Sequence, residues 1–207
     1  MNMTSILKHL LIVVLCLSST SLATEPPRGA ISSNLYAFNT LGWTFPIPER
    51  WRLRTKEEIA RVRNLGLEAL EKSMSEEIPN VETPLLYLQH EARSHNRFTS
   101  DVVAYDGKGG AEYKKEQQKG FDSLLQVYKT LQMEMSEERS TTTIDGVVFA
   151  TQLVKLYAPD RRRVLLTGMN FDALINGASF SMGYTADNEE DRAAIHSAVM
   201  KSKFQKQ

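Results

Sequence analysis

The sequence predicts an α+β domain in which helices pack on a central antiparallel sheet. The dipeptides Asp145-Gly146 and Asn176-Gly177 separate runs of β-branched and aromatic residues, a pattern typical of antiparallel hairpins with two-residue turns. Helical periodicity occurs only in segments that stand apart from these hairpins. Hairpins combined with separate helices favour an α+β sheet over a parallel α/β fold.

The first elements are predicted between residues 41 and 74. Apolar residues alternate from Trp43 to Ile47, and two prolines restrict the segment to a sheet edge, so 41–53 is expected to be a bent strand or hairpin. Thr55 and Glu58 then have the spacing of a capping box. An apolar stripe follows at helical spacing, which predicts a helix over about 56–74.

Two strands and a second helix come next. Segments 85–92 and 98–105 are predicted strands, and a continuous apolar run in the first indicates burial on both faces. The glycine-rich segment 106–110 is expected to end the second strand, and it lacks the spacing of a phosphate-binding loop. The helix after it carries one stripe: Tyr113, Gln117, Phe121, Leu124, Leu125, Tyr128 and Leu131.

The C-terminal half is predicted to contain four strands and a final helix. The strands are 141–144, 147–157, 164–175 and 178–185, paired through the two hairpin turns. In the last of them Ala178, Phe180, Met182 and Tyr184 alternate with small or polar residues, so one face is expected to be core and the other polar or solvated. The final helix is predicted to begin near Asp187 and to bury Ile195, Val199 and Phe204.

Five segments carry a family resemblance: Gly42–Pro48, Trp51, Ile144–Gly146, Ala178–Tyr184 and the end of the final helix at Lys201–Phe204. With these segments the chain resembles the PsbP-like superfamily over about residues 35–205. The resemblance implies an αβα sandwich around a central antiparallel sheet, a fold that also occurs in exported bacterial proteins of the DcrB type. It implies no shared enzymatic activity and supplies no functional residues.

The N-terminus has the layout of a secretory signal. Lys8 is followed by an apolar run over residues 10–17, which is shorter than the roughly 20 residues that span a bilayer, and by Ser21-Leu22-Ala23. We therefore expect residues 1–23 to be cleaved, 24–34 to form a flexible lead-in and 35–205 to form one domain of a secreted or periplasmic protein. A lipid on Cys16 is disfavoured because the preceding Leu15 is large.

Composition narrows the function classes. The only cysteine, Cys16, lies in the predicted signal, so the processed chain would form no disulfide. The chain has 25 basic and 25 acidic residues, and removal of Lys8 leaves 24 against 25, a net charge of −1. This balance does not favour a nucleic-acid partner, and no transmembrane span is expected in the processed chain.

The candidate metal ligands do not have a metal-binding spacing. His90 and His95 are five residues apart, so they diverge by roughly 140° on a helix and lie on opposite faces of a strand. His196 falls in the final helix among alanines. No metal, cofactor or catalytic residue is therefore predicted.

One charged turn is the candidate binding surface. Arg161, Arg162 and Arg163, which we call the arginine turn, follow Asp160 at a predicted hairpin and could bind an acidic partner. A solvated turn whose charge opposes edge-to-edge association explains the same residues. Trp43 and Trp51 could form a ligand wall, although aromatic residues at strand spacing are more often core.

Two functions are compatible with the sequence. The first is an exported, non-catalytic domain that binds a partner protein or a small ligand in the cell envelope. The second is a secreted or periplasmic hydrolase whose site is built from dispersed residues. The first is favoured because no cysteine remains after processing and no Gly-x-Ser-x-Gly nucleophile elbow is present.

Overall fold

The computed structural model of the chain describes residues 29–55, 58–59, 85–105, 107, 109–130, 132–160 and 162–205. The predicted signal 1–23 lies outside these ranges, as does most of the predicted helix 56–74. The described strands are β1 (Ala30–Ser32), β2 (Leu35–Phe38), β3 (Trp43–Pro46), β4 (Trp51–Leu53), β5 (Leu86–His90), β6 (Arg93–Ala104), β7 (Met135–Ile144), β8 (Val147–Tyr157), β9 (Val164–Ile175), β10 (Ala178–Ala186) and β11 (Lys203–Phe204). The helices are α1 (Gly110–Thr130), α2 (Glu189–Met200) and a 3₁₀ turn over Asn39–Leu41.

The strands form two antiparallel sheets. The large sheet has seven strands in the order β4-β5-β6-β10-β9-β8-β7, and the small sheet has four in the order β1-β2-β3-β11. The α+β class and antiparallel pairing are thus confirmed. The sequence predicted a single sheet, whereas the structure contains a second, smaller one.

The two predicted hairpin turns have the expected backbone. Asp145 and Gly146 have φ of 48° and 83°, and Asn176 and Gly177 have φ of 51° and 76°. A type I′ turn needs positive φ at both central positions, which Asn, Asp and Gly tolerate best. These turns join β7 to β8 and β9 to β10 in continuous register.

One face of the large sheet carries the aromatic core. Phe180 of β10 is fully buried, and its ring centroid lies 4.9 Å from that of Trp43 in the small sheet. Phe45 stacks on Phe98 of β6 at 4.3 Å. Helix α2 adds Ile195 to the same cluster. The small sheet and α2 therefore cover this face together, and both tryptophans, Trp43 and Trp51, are core residues.

The opposite face of the large sheet is covered by α1. The hydroxyl of Tyr113 lies 3.3 Å from Oγ of Ser179, and Gln117 donates from Nε2 to the backbone carbonyl of Asp172 at 3.1 Å. Ser179 and Phe180 are adjacent in β10 and so point to opposite faces. The two helices consequently lie on opposite sides of the large sheet.

Several boundaries differ from the sequence prediction. Strand β6 begins at Arg93 and β7 at Met135, upstream of the predicted starts at 98 and 141. β3 and β4 belong to different sheets and do not form a hairpin, because the turn at Arg50, with φ of 67°, redirects the chain between them. Helix α2 ends at Met200, and the buried Phe204 lies in β11, where its N–H donates to Oδ2 of Asp145 at 2.8 Å. Strand β1 falls within 24–34, the predicted lead-in.

Among the residues that the structure describes, no helix combines the length and apolar character needed to cross a bilayer.

Candidate functional site

The described part of the arginine turn is exposed at the β8–β9 connection. Arg162 and Arg163 are exposed, whereas Arg161 lies outside the described residues. The N–H of Arg162 donates to Oδ1 of Asp160 at 3.1 Å, and the N–H of Ala158 donates to the carbonyl of Arg163 at 2.8 Å. These bonds fix the backbone of the turn, so the two guanidinium groups extend from a defined hairpin.

The two arginines form no ion pair within the described part of the chain. Val164, the residue after Arg163, has an apolar side chain that is 41% exposed. Exposed cations beside an apolar residue suit a contact with an acidic protein surface better than a chemical reaction.

His90 lies in the interior, where both of its ring nitrogens face groups of the protein. Its Nδ1 accepts from the N–H of Ala92 at 3.2 Å, and its Nε2 faces Oδ1 of Asp191 at 3.5 Å. Both ring nitrogens are thus engaged by the protein, which leaves neither to activate a nucleophile. Within the described residues, no three His, Cys, Asp or Glu side chains come together as a metal site.

Asp191 joins α2 to strands β5 and β6 through His90, Arg93 and Asn96. Its Oδ2 accepts from Nδ2 of Asn96 at 2.6 Å and from Nδ2 of Asn188, the N-cap of α2, at 2.7 Å. Burial opposes ionisation, but these two hydrogen bonds, the neighbouring His90 ring and the positive charge of Arg93 outweigh it, so the pKa of Asp191 lies below its usual value. This network is a structural tie between α2 and the sheet.

His196 is half-buried on α2. Its Nδ1 lies 3.1 Å from the hydroxyl of Tyr184 on β10. Burial and the nearby charge of Arg192 lower the pKa of His196, so the neutral ring is favoured. The contact places this histidine at the rim of the aromatic core.

The α1 side of the sheet contains a polar layer that the sequence analysis treated only as polar or solvated. Ser181 of β10 pairs in register with Asp101 of β6 and with Asp172 of β9, so all three residues share the α1 face. Burial raises the pKa of Asp172 to about 7. The strict alternation in β10 indicated in the sequence that this face is polar. It did not indicate that α1 packs over the face and buries Asp172.

A second cluster, which the sequence analysis missed, lies at the β4 edge of the same face. Its cations are Arg52, Arg54 and Arg97, and we call it the arginine cluster. Register places Gln89 of β5 between Arg52 and Arg97, and the N–H of Arg54 donates to the carbonyl of Tyr87 in the same strand at 3.0 Å. The alternation of arginines with Trp51 and Leu53 was a usable signal for one charged face.

The arginine cluster contains one described carboxylate. Glu58 accepts a hydrogen bond from Nη1 of Arg54, and its Oε1 also lies 3.5 Å from Nη2 of Arg52. Thr55 and Glu58 form the predicted capping box, with the Thr55 N–H donating to Oε2 at 3.0 Å and the Glu58 N–H donating to Oγ1 at 3.2 Å. Burial lowers the pKa of Arg97, and the positive charge of Arg54 adds to this effect.

Comparison with known proteins identifies the fold. No protein-family model matches the sequence, and no curated protein matches it. Among solved structures, the solution structure of cyanobacterial PsbP (CyanoP) from Synechocystis sp. PCC 6803 is similar, with a TM-score of 0.53 and 10% sequence identity over 91% of this chain and 99% of that chain. At this identity the similarity concerns the fold alone. The chain therefore has a PsbP-like α+β fold.

Proposed function

We propose that this protein is an exported, non-catalytic αβα-sandwich domain, of the kind found in DcrB-type bacterial proteins, that binds a partner in the cell envelope. The observation that carries the proposal is the arginine turn. Arg162 and Arg163 stand exposed on a hydrogen-bonded hairpin and have no ion pair within the described residues. Unpaired exposed cations on a defined backbone can steer and orient an acidic partner at low cost in conformational entropy.

The test reverses the charge of this turn. The double variant Arg162→Glu/Arg163→Glu is compared with Lys114→Glu/Lys115→Glu, which reverses two consecutive exposed cations on α1. Partners are crosslinked in the exporting cell, captured through a tag and quantified by mass spectrometry. We expect recovery of the specific partner to fall at least about tenfold for the arginine pair, the effect of about 1.4 kcal/mol, and to change little for the lysine pair.

Thermal melts of both variants show whether each is folded before its partners are compared. Equal recovery of the same proteins by the arginine variant and the wild type would contradict the proposal. An equal loss in the lysine variant would show a general charge effect and would contradict it as well.

Export is tested at the N-terminus. The small-x-small pattern at Ser21-Leu22-Ala23 supports cleavage after Ala23. N-terminal sequencing of the exported protein is expected to begin at Thr24. An intact Met1, or a lipid attached to Cys16, would refute processing by an ordinary signal peptidase.

A further inference from the structure

The arginine cluster has more positive charge than its described surroundings balance. Arg52 and Arg54 share the carboxylate of Glu58, the one described at this edge, while Arg97 lies two strands further into the sheet, on β6. Three cations and one anion leave a local excess of about two positive charges among the described residues of this edge. Such an excess attracts anions, and its effect grows where solvent is excluded.

Arg97 is the buried member of the cluster. The residue is 6% exposed, its Nε donates to the carbonyl of Ser94 at 2.6 Å, and its Nη1 is buried with no hydrogen-bond partner among the residues that the structure describes. A guanidinium group stays protonated in proteins, so the charge cannot be removed by titration. Within the described part of the chain no carboxylate pairs with Arg97, and a buried charge without a counter-ion is strongly unfavourable, so Arg97 should attract an anion.

The solvent-exposed side of the arginine cluster is the β4 edge. The side chain of Arg54 is 18% exposed and that of Glu58 is 31% exposed, so the pair between them lies where water can reach it. Partly exposed ion pairs contribute little to stability and exchange readily with other anions. An incoming anion can therefore take the place of the Glu58 carboxylate on Arg54 and extend toward Nη1 of Arg97.

We propose that Arg54 and Arg97 form a binding site for an oxyanion group, a carboxylate or a phosphate, which enters at the β4 edge in exchange for Glu58. Two guanidinium groups offer several N–H donors at fixed angles, which suits the paired oxygens of either group. The site lies in the half of the large sheet away from the β8–β9 connection, so it is separate from the arginine turn.

The test measures the unfolding midpoint of the purified protein as sodium phosphate or sodium acetate is added at constant ionic strength, with chloride as the reference salt. Above the dissociation constant, we expect the midpoint to rise by about 3–5 °C for each tenfold increase in the anion that binds. If the midpoint rises with only one of the two salts, that salt identifies the group that binds. If it rises with both, the site accepts carboxylates and phosphates alike.

Two variants decide whether the arginine cluster is responsible. Arg97→Met keeps the packing of the side-chain stem and removes the charge, so the anion-dependent rise should be lost. Arg162→Met, in the arginine turn, is the matched control and should retain the wild-type rise. Phosphate also stabilises proteins without binding, and that contribution is the rise that remains in Arg97→Met.

Glu58→Gln tests the site without changing either arginine, because glutamine preserves the capping box while removing the competing charge. We expect it to lower the half-saturating anion concentration by about two- to fivefold, the effect of removing a partly exposed ion pair. If Arg97→Met does not fold, this arm decides the matter. The proposal is overturned if the wild type shows no greater rise than Arg97→Met, or if Glu58→Gln leaves the half-saturating concentration unchanged.

Discussion

At the residue scale, Phe180 is the aromatic side chain of β10 that packs against the rings of the small sheet. Its ring lies 4.9 Å from Trp43 in the small sheet, 6.3 Å from Phe149 in β8 and 5.8 Å from Phe204 in β11, measured between centroids. It is also fully buried. Truncation of this ring would therefore leave a cavity where the two sheets meet.

We expect Phe180→Ala to lower the free energy of unfolding by about 3–5 kcal/mol, because both the transfer of the ring and the cavity contribute. Ser181→Ala is the matched control, since Ser181 is the next residue in β10 and is half-buried on the opposite face. It should change stability by about 0.5 kcal/mol or less. Denaturant melts measure both values, and equal losses would mean that the register of β10 is misassigned.

Two polar clusters contain a residue whose burial the sequence did not reveal. Arg97 and Asp172 occupy strand positions where a polar side chain alternates with an apolar one, which usually indicates a solvated face. In the folded chain Arg97 is buried, and Gln117 of α1, 55 positions away in the sequence, donates a hydrogen bond to the carbonyl of Asp172. Alternation therefore predicts the face of a residue, whereas its burial depends on tertiary packing.

At the element scale, the elements with strong local signals were predicted well. The Asp-Gly and Asn-Gly turns, the capping box at Thr55 and the acidic first turn of α2 all depend on residues within four positions of each other. Helix α2 begins after the N-cap Asn188, close to the predicted start near Asp187. Local chemistry determines these features, so one sequence is sufficient to recognise them.

Elements whose identity depends on distant partners were predicted less well. Strand β11 exists because Phe204 donates to Asp145 and pairs in register with Trp43. Periodicity alone extended the final helix over the same residues, since Phe204 falls on its apolar stripe. The assignment of β3 and β4 to different sheets likewise follows from pairing partners rather than from their own residues.

At the scale of the whole molecule, the two faces of the large sheet differ in chemistry. The face under the small sheet and α2 is aromatic, while the face under α1 contains Ser179, Asp172 and the arginine cluster. An aromatic layer stabilises the fold over a wide pH range, because tyrosines such as Tyr184, whose pKa burial raises to about 12, titrate only at high pH. A polar layer makes stability depend on pH and on bound ions.

Two carboxyl groups contribute to this pH dependence with opposite signs. The lowered pKa of Asp191 stabilises the fold above its unfolded value of 3.8, and this contribution is lost as the pH falls through the folded value. The raised pKa of Asp172 acts the other way, because the folded protein holds a proton that the unfolded chain releases. His196, whose pKa is lowered, favours the folded state as the pH rises toward 6.5.

The contribution of Asp172 can be isolated by comparing Asp172→Asn with the wild type across this range. Stability of the wild type should decline relative to the variant as the pH rises from about 4, near the unfolded pKa of 3.8, to about 7, the folded value. Each pH unit of that interval corresponds to about 1.4 kcal/mol at most, and because the side chain retains some exposed surface we expect a total near 2 kcal/mol.

Denaturant melts at pH 4, 5.5, 7 and 8 measure this difference, with Ser181→Ala as the control because Ser181 pairs with Asp172 in register and does not titrate. The control should differ from the wild type by a constant amount at every pH. A constant difference for Asp172→Asn as well would show that Asp172 ionises as freely in the folded protein as in the unfolded chain. That result would mean that α1 does not shield this part of the sheet from solvent, and the polar layer would then be an open surface rather than an interior.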